Sequence, residues 1–400
     1  MSSLEQRLRA ELARLRAADL YRVRRVVGGR HAVEIDVDGR RCLNFCSNDY
    51  LGLAADPRLA QAASCALGEC GTGSGAAALI SGYNREHRAL EEELAVFTRR
   101  PRALLFSTGW AANLGVLRAL LDKSGTLIAD ELNHASLIDG GRLSGARYRR
   151  VAHRSLRGFD QALQAAAGGP AVLATDSVFS MDGDLAPLAE LAVLCRRHDA
   201  ALMVDDAHGF GVLGEGGRGA LFADASRPLG ADEVPVYMAT LGKALGVSGA
   251  FVAGSEVLIE YLIQRARTWV FSTAPPPALA AAGREALRIV QAEPQRRAQL
   301  SAAVQRFRAG AAQLGIPLGE STTPIQPLVL GEERRVLAVS AALFQRGYWV
   351  AAIRPPTVPK GTARLRITLC ATHSAGQVDG LLEALAVALR ETAALETAAA

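Results

Sequence analysis

The sequence predicts an α/β protein, with a large domain on a mainly parallel sheet and a smaller α+β domain after it. Three observations carry this. Short apolar runs alternate with helical patterns from about Leu53 to about Gly254. The runs are apolar almost throughout, as strands covered on both faces are. After the proline break STAPPP (Ser272–Pro277) the pattern changes to one long helical stretch and three further runs. The expected bounds are 1–50 for an N-terminal helix and hairpin, 51–275 for the large domain and 276–400 for the small one.

The first element is a helix, because Leu4, Leu8, Leu12 and Leu15 form an apolar stripe at helical spacing. That stripe should lie on the body of the protein or on a partner subunit. The segment lacks the apolar stretch of a signal peptide, and Glu5, Glu11 and Asp19 argue against a transit peptide. HAVEIDV and RCLNF flank Asp38-Gly39 and predict a β-hairpin with a tight turn. Six strands follow: Arg102–Ser107, Gly125–Asp130, Ala171–Val178, Ala201–Asp206, Val234–Thr240 and Gly249–Gly254. Helical patterns such as AANLGVLRALL separate the first five, as parallel crossovers require. Pro277 suits the first turn of a helix. PIQPLVLG, GYWVAAI and ARLRITLC read as strands of the small domain. SAGQVDGLLEALAVALRETAALE closes the chain as a helix, with the last four residues expected to fray.

Half of the 400 residues are hydrophobic and the net charge is +5. No basic cluster is interleaved with aromatics, so a nucleic-acid partner is not expected. No apolar run is long enough to span a bilayer, so no membrane partner is expected. The six cysteines show no metal-ligand spacing, which predicts no metal site and reduced thiols in a cytoplasmic protein. GTGSGA and GEGGRG match a dinucleotide fingerprint in spelling, but neither opens a helix after a strand.

Candidate residues gather at the carboxyl ends of the expected strands, where open α/β sheets bind ligands. Gly109 and Trp110 lie between a strand and a helix, as a phosphate site or an ordinary turn would require. His134 and Ser180 follow two other strands. Asp205, Asp206 and His208 follow Val204, and two acids at a buried strand end need an answering cation or donors. A metal is one explanation; a nitrogen heterocycle kept protonated is the other. Thr240 and Lys243 end the next strand. Lys243 is one of three lysines in an arginine-rich chain, beside Lys123 and Lys360. An amine, unlike a guanidinium, can lose its proton and bond to a carbonyl carbon. Amine, carboxylate, phosphate turn and imidazole are together the parts that hold pyridoxal phosphate.

The motifs NFCSNDYLGL, LFSTGWAAN, DELNHASLIDG, DSVFSMDGDLAPL, VDDAHGFGVLGEGGRG, TLGKALGVSGA, FSTAPPP and AIRPPTVPKGTARLRITL run in this order through nearly the whole chain. It resembles the α-oxoamine synthases, pyridoxal 5′-phosphate enzymes of the aspartate aminotransferase-like fold type I. The resemblance implies an acyltransferase of biotin biosynthesis. It would condense L-alanine with pimeloyl-CoA or pimeloyl-acyl carrier protein and release CO₂, the free thiol and 8-amino-7-oxononanoate. The sister reactions that use glycine or serine remain the alternative: aminoketobutyrate ligase, 5-aminolevulinate synthase and serine palmitoyltransferase. Lys243 matches the lysine bonded to the coenzyme, Asp205 the acid on the pyridine nitrogen, and His134 the ring-stacking and substrate-side histidine. His208 and Ser180 match residues near the phenolic oxygen, and Gly109, Trp110 and Thr240 match phosphate and cofactor contacts. Ser272 and Thr273 match a loop that reaches the neighbouring subunit's phosphate in a homodimer. Arg22, Asn48, Arg354 and Thr357 match substrate contacts, with Arg354 on the alanine carboxylate. One stretch departs from the family: Ala76, Ala77, Ala78 and Leu79 replace a glycine- and serine-rich run on the acyl side.

Overall fold

The computed structural model describes residues 3–399, with side chains as far as residue 393. The closing helix runs Ala375–Ala399, so three of the four residues expected to fray are helical, and residue 400 lies outside the described residues. The chain divides into two compact units. The larger comprises Asn48–Ser180 and Asp184–Arg297; the other comprises Met1–Ser47, Met181–Gly183 and Ala298–Ala400.

The larger unit holds a seven-stranded sheet. In chain order its strands are β1 (Arg102–Phe106), β2 (Thr126–Asp130), β3 (Arg147–Val151), β4 (Ala171–Asp176), β5 (Ala201–Asp205), β6 (Val236–Thr240) and β7 (Ala250–Gly254). They lie side by side as β1-β7-β6-β5-β4-β2-β3. The pairs among β2 to β6 are parallel, and β7 runs antiparallel to both neighbours. The loop from Thr240 to Ala250 is too short for a crossover, so β7 must turn straight back. That turn carries Lys243 to the carboxyl edge of the sheet. Bonds from Leu241 N to Gly249 O (2.9 Å), Val247 N to Leu241 O (3.0 Å) and Gly246 N to Lys243 O (2.9 Å) close it.

β2 and β7 are buried at every position, as the unbroken apolar runs required. Leu104, Val116, Leu117, Leu127, Leu137, Met203, Val236 and Val252 share one core cluster. Each such side chain contributes roughly 1.5–3 kcal/mol by leaving water. β3 is a strand the sequence reading did not include. Its residues, RYRRV, are mostly exposed on an edge and show no apolar run.

In the other unit, Glu34–Val37 and Arg40–Asn44 pair antiparallel around Asp38-Gly39, the expected hairpin. Both turn residues have positive φ (54° and 80°), which suits the twist of a two-residue hairpin loop. GYWVAAI, read as one strand, is two. Tyr348–Trp349 pairs parallel with Leu43–Asn44, and Ala351–Ile353 pairs antiparallel with Ala363–Thr368 in another sheet. Buried Val350 stands at the changeover. The N-terminal helix, Ser3–Ala17, buries none of its residues, and Leu4, Leu8 and Leu12 are exposed within the single chain. No helix among the described residues is long and apolar enough to cross a membrane.

Candidate active site

The two acids at the end of β5 have opposite surroundings, which the sequence alone did not separate. Asp205 Oδ2 accepts from Asn113 Nδ2 at 2.7 Å, and its Oδ1 accepts from Ala207 N at 3.0 Å. Asp206 is fully buried and faces the other way. It accepts from Ser177 Oγ (2.5 Å), Tyr237 OH (2.7 Å) and Ala220 N (2.9 Å). Burial pushes its carboxyl up to about 7, against the pull of those three donors. Gly219 makes room for it: at φ 111°, a Cβ there would sit 1.9 Å from Asp206 Oδ2. The last glycine of GEGGRG therefore serves a buried acid, and Asp206 is a structural hub.

Asp205 belongs to a polar network. Asn113 also donates to Ser136 Oγ at 2.8 Å, and Ser136 Oγ lies 2.7 Å from His134 Nδ1. His134 N donates to Asp176 Oδ2 at 2.6 Å, fixing the backbone where His134 caps the helix Ala135–Ser144. Burial holds His134 below its ordinary pKa; the Asp205 charge opposes this and the Lys243 charge adds to it. The imidazole is therefore neutral at pH 7. Burial, then the charge of Asp205, pushes Asp176 well above the usual carboxylate range. Asn113, Ser136 and Asp176 were not singled out from sequence. They lie inside the quoted motifs, but Asn and Ser near helix starts have many ordinary uses.

Lys243 Nζ lies 2.9 Å from His208 Nε2. His208 Nδ1 lies 2.5 Å from the hydroxyl of Tyr50, which donates to Asn48 Oδ1 at 3.3 Å. Lys243, His208 and Asn48 thus meet through a tyrosine that the sequence reading passed over.

Gly109 starts the helix Gly109–Leu120, capped by Thr108 Oγ1 accepting from Ala111 N at 3.0 Å. Trp110 meets His134 edge-on, with ring centroids 6.0 Å apart. Thr240 Oγ1 donates to Gly249 O (2.9 Å) and accepts from Gly242 N (3.2 Å), so this hydroxyl also braces the lysine turn. Thr273 pairs with Ala77, and Ala274 N donates to Ala76 O at 3.0 Å. The family-divergent stretch is thereby joined to the Ser272–Thr273 loop. Ser180 lies in the turn between Val178 and Leu185, which form an isolated bridge.

In the other unit, Arg22 Nη2 donates to Thr357 Oγ1 at 3.3 Å. Arg354 donates to the carbonyls of Asp19 and Tyr21. Burial, with the like charge of Arg22, holds Arg354 below its ordinary pKa. Arg22, Arg354 and Thr357 thus form one group within that unit.

A further brace stands beside Ser180. His153 Nδ1 lies 3.0 Å from Asp130 Oδ1 at the end of β2, and Nε2 lies 2.8 Å from Asp184 Oδ2. Burial opposes charging this ring, but the two carboxylates prevail and lift it to about 9. A raised folded pKa stabilises the fold fully below the unfolded value of about 6.5, and the benefit is lost as pH rises through about 9. Thermal melts should therefore show stability falling across that window by on the order of 1–2 kcal/mol, discounted for the ring's partial exposure. His153→Gln should remove this component of the pH dependence; a wild-type profile that is flat between pH 6.5 and 9 would count against the brace.

The donor set of the larger unit fits pyridoxal 5′-phosphate. It offers an amine with an acceptor beside it, a buried strand-end carboxylate, a neutral imidazole and a helix N-terminus opening on glycine. A Cβ at Gly109 would meet only Met238 Cε, at 3.6 Å, so the space beyond it is open to a ligand.

The sequence model of the family Aminotransferase class I and II matches residues 40–385. Serine palmitoyltransferase from S. paucimobilis, solved with a bound PLP–myriocin aldimine, matches with TM-score 0.92. The match covers 98% of this chain and 100% of that one, at 26% identity. The chain belongs to the class I and II aminotransferase family, and it is a PLP-dependent enzyme of fold type I. The 8-amino-7-oxononanoate synthase of Methylococcus capsulatus is 57% identical over 382 residues, covering 96% of this chain and 98% of its own length. The solved 8-amino-7-oxononanoate synthase of Francisella tularensis is 31% identical with TM-score 0.76, covering 88% of this chain and 98% of that one.

Proposed function

We propose that the chain joins L-alanine to a pimeloyl thioester, on CoA or on acyl carrier protein. CO₂ and the free thiol leave, and the product is 8-amino-7-oxononanoate, in biotin biosynthesis. The observation that carries this reading is the 57% identity over nearly full length to a protein named for that activity. The serine-using relative stands at 26% despite its TM-score of 0.92. Backbone shape marks the fold; side-chain identity marks the chemistry.

Bound at this site, pyridoxal phosphate supplies an electron sink for negative charge at the amino acid's Cα. The chain's own residues do the rest. Lys243 is assigned the covalent hold on the coenzyme. As a free amine, Lys243 would be the group to take the Cα proton. His208, 2.9 Å from that amine, orients it. Asp205 is assigned the pyridine nitrogen, where a carboxylate favours the protonated ring. Asn113 and Ala207 N–H keep that carboxylate aimed. Neutral His134 offers a ring face without adding positive charge. Gly109, Trp110 and Thr240 are assigned to the phosphate side and Ser180 to the phenolic oxygen. Arg354, with Arg22, Asn48 and Thr357, is assigned to the substrates. The reading includes a cytoplasmic homodimer in which Ser272 and Thr273 of each copy serve the other's coenzyme phosphate. Light scattering on the purified protein tests the dimer.

Titrating the visible absorption of the holoenzyme with alanine, glycine and serine tests the amino acid. Alanine should act at the lowest concentration, with a margin over glycine of about 10–200-fold, the worth of one methyl group in a pocket. Product identification with a panel of acyl thioesters tests the acyl donor. Stronger response to glycine or serine, with no 8-amino-7-oxononanoate formed, would favour the sister enzymes instead.

A further inference from the structure

Resting on the reading of Lys243 above, its amine must exist both as an ammonium and as a free base. We propose that Tyr50 is a positioning residue that lets His208 exchange tautomers as Lys243 changes protonation. Three contacts run in series: Lys243 Nζ to His208 Nε2 at 2.9 Å, His208 Nδ1 to Tyr50 OH at 2.5 Å, and Tyr50 OH to Asn48 Oδ1 at 3.3 Å. Tyr50 is fully buried and His208 is only 6% exposed. The protein itself must therefore satisfy Nδ1.

A phenol carries one proton and can also accept one hydrogen bond or more. Facing an ammonium, Nε2 must be bare. Nδ1 then holds the ring's proton and donates it to the phenol oxygen, while the phenol donates to Asn48. Facing a free amine, Nε2–H donates to the nitrogen lone pair. Nδ1 is then bare, and the phenol turns its own proton to it. Between the two states one proton leaves to water and the imidazole stays neutral. Asp176 and His134 both feel the charges of Lys243 and Asp205. The contact at His208 Nδ1 comes instead from the Tyr50 hydroxyl.

Phenylalanine at this position would take from Nδ1–H the buried acceptor that the Tyr50 oxygen provides, and for a buried group losing an acceptor for its proton costs more than losing a donor to its lone pair. Tyr50→Phe should therefore favour the Nε2–H tautomer and with it the free amine. The test is competitive amine labelling of the full-length, coenzyme-free chain across pH, read by peptide mass spectrometry. Lys123 and Lys360 serve as internal references. The Lys243 midpoint should fall by about one pH unit in Tyr50→Phe, with both references unmoved. A purely structural role would lower the melting temperature and leave that midpoint in place, and an unmoved midpoint overturns the proposal.

Should the variant not fold, ¹⁵N-histidine spectra of the wild type decide. His208 should pass from Nδ1–H to Nε2–H as Lys243 titrates, and a single tautomer throughout overturns the inference. Borohydride reduction of the holoenzyme separates the two levels. Label at Lys243 with an unmoved midpoint removes only the role of Tyr50; label elsewhere removes the functional reading beneath it.

Discussion

Lys243→Ala is expected to abolish turnover, with a loss of at least about 10⁴-fold, and to abolish covalent capture of the coenzyme. The size follows from two roles resting on one atom. Proton transfer by a placed base is worth about 10²–10⁴-fold, and losing the covalent attachment adds to it. Lys243 is half-buried in a turn closed by its own backbone, so its loss should leave the fold intact. Three measurements check this: steady-state turnover, visible absorption and borohydride reduction followed by digestion. In the wild type the reduced peptide should be the one containing Tyr237–Ala250. Normal turnover in the variant, or label on another peptide, would show that the chemistry belongs elsewhere.

The second large effect is a contrast between neighbours. Asp205→Asn keeps the shape and one of the two accepted hydrogen bonds, so its melting temperature should fall far less than that of Asp206→Ala. Its kcat/KM should fall at least about 100-fold, the usual scale for removing one electrostatic partner of a reacting group. Asp206→Ala should do the reverse. It strips the acceptor from Ser177, Tyr237 and the Ala220 N–H, all in the interior. Each buried donor left unmet costs about 1–3 kcal/mol, so a total on the order of 3–5 kcal/mol is expected. The melting point should drop by several degrees, while enzyme that stays folded retains coenzyme capture. If Asp205→Asn unfolds the protein and Asp206→Ala silences a stable one, the assignment of the two acids is inverted.

Much of this site was legible before the structure. Buried strands of a parallel sheet announce themselves as unbroken apolar runs, and polar residues just past their carboxyl ends are the natural candidates. Lys243 stood out because arginine serves nearly everywhere else. What stayed hidden has physical reasons. Asp205 and Asp206 are the same residue type one step apart, and only the direction of each side chain separates them. Tyr50 and Asn113 act through contacts 158 and 92 positions away in the chain. β3 escaped because an edge strand with exposed arginines has no apolar signature. GYWVAAI misled the other way, since apolar residues throughout say that a segment is buried but not that it serves a single sheet. The leucine stripe marked a face of the first helix; periodicity does not say what covers it.

The alternation at the end of β5 has a consequence for how such a chain can diverge. Its last residue and the next point to opposite sides, one toward Asn113 and one toward Ser177 and Tyr237. Lengthening or shortening that strand by a single position would exchange the two carboxylates' surroundings and break both sets of hydrogen bonds at once. Drift in this stretch is therefore confined to swaps of one side chain for another, and tolerated insertions should accumulate in the connections far from this rim of the sheet.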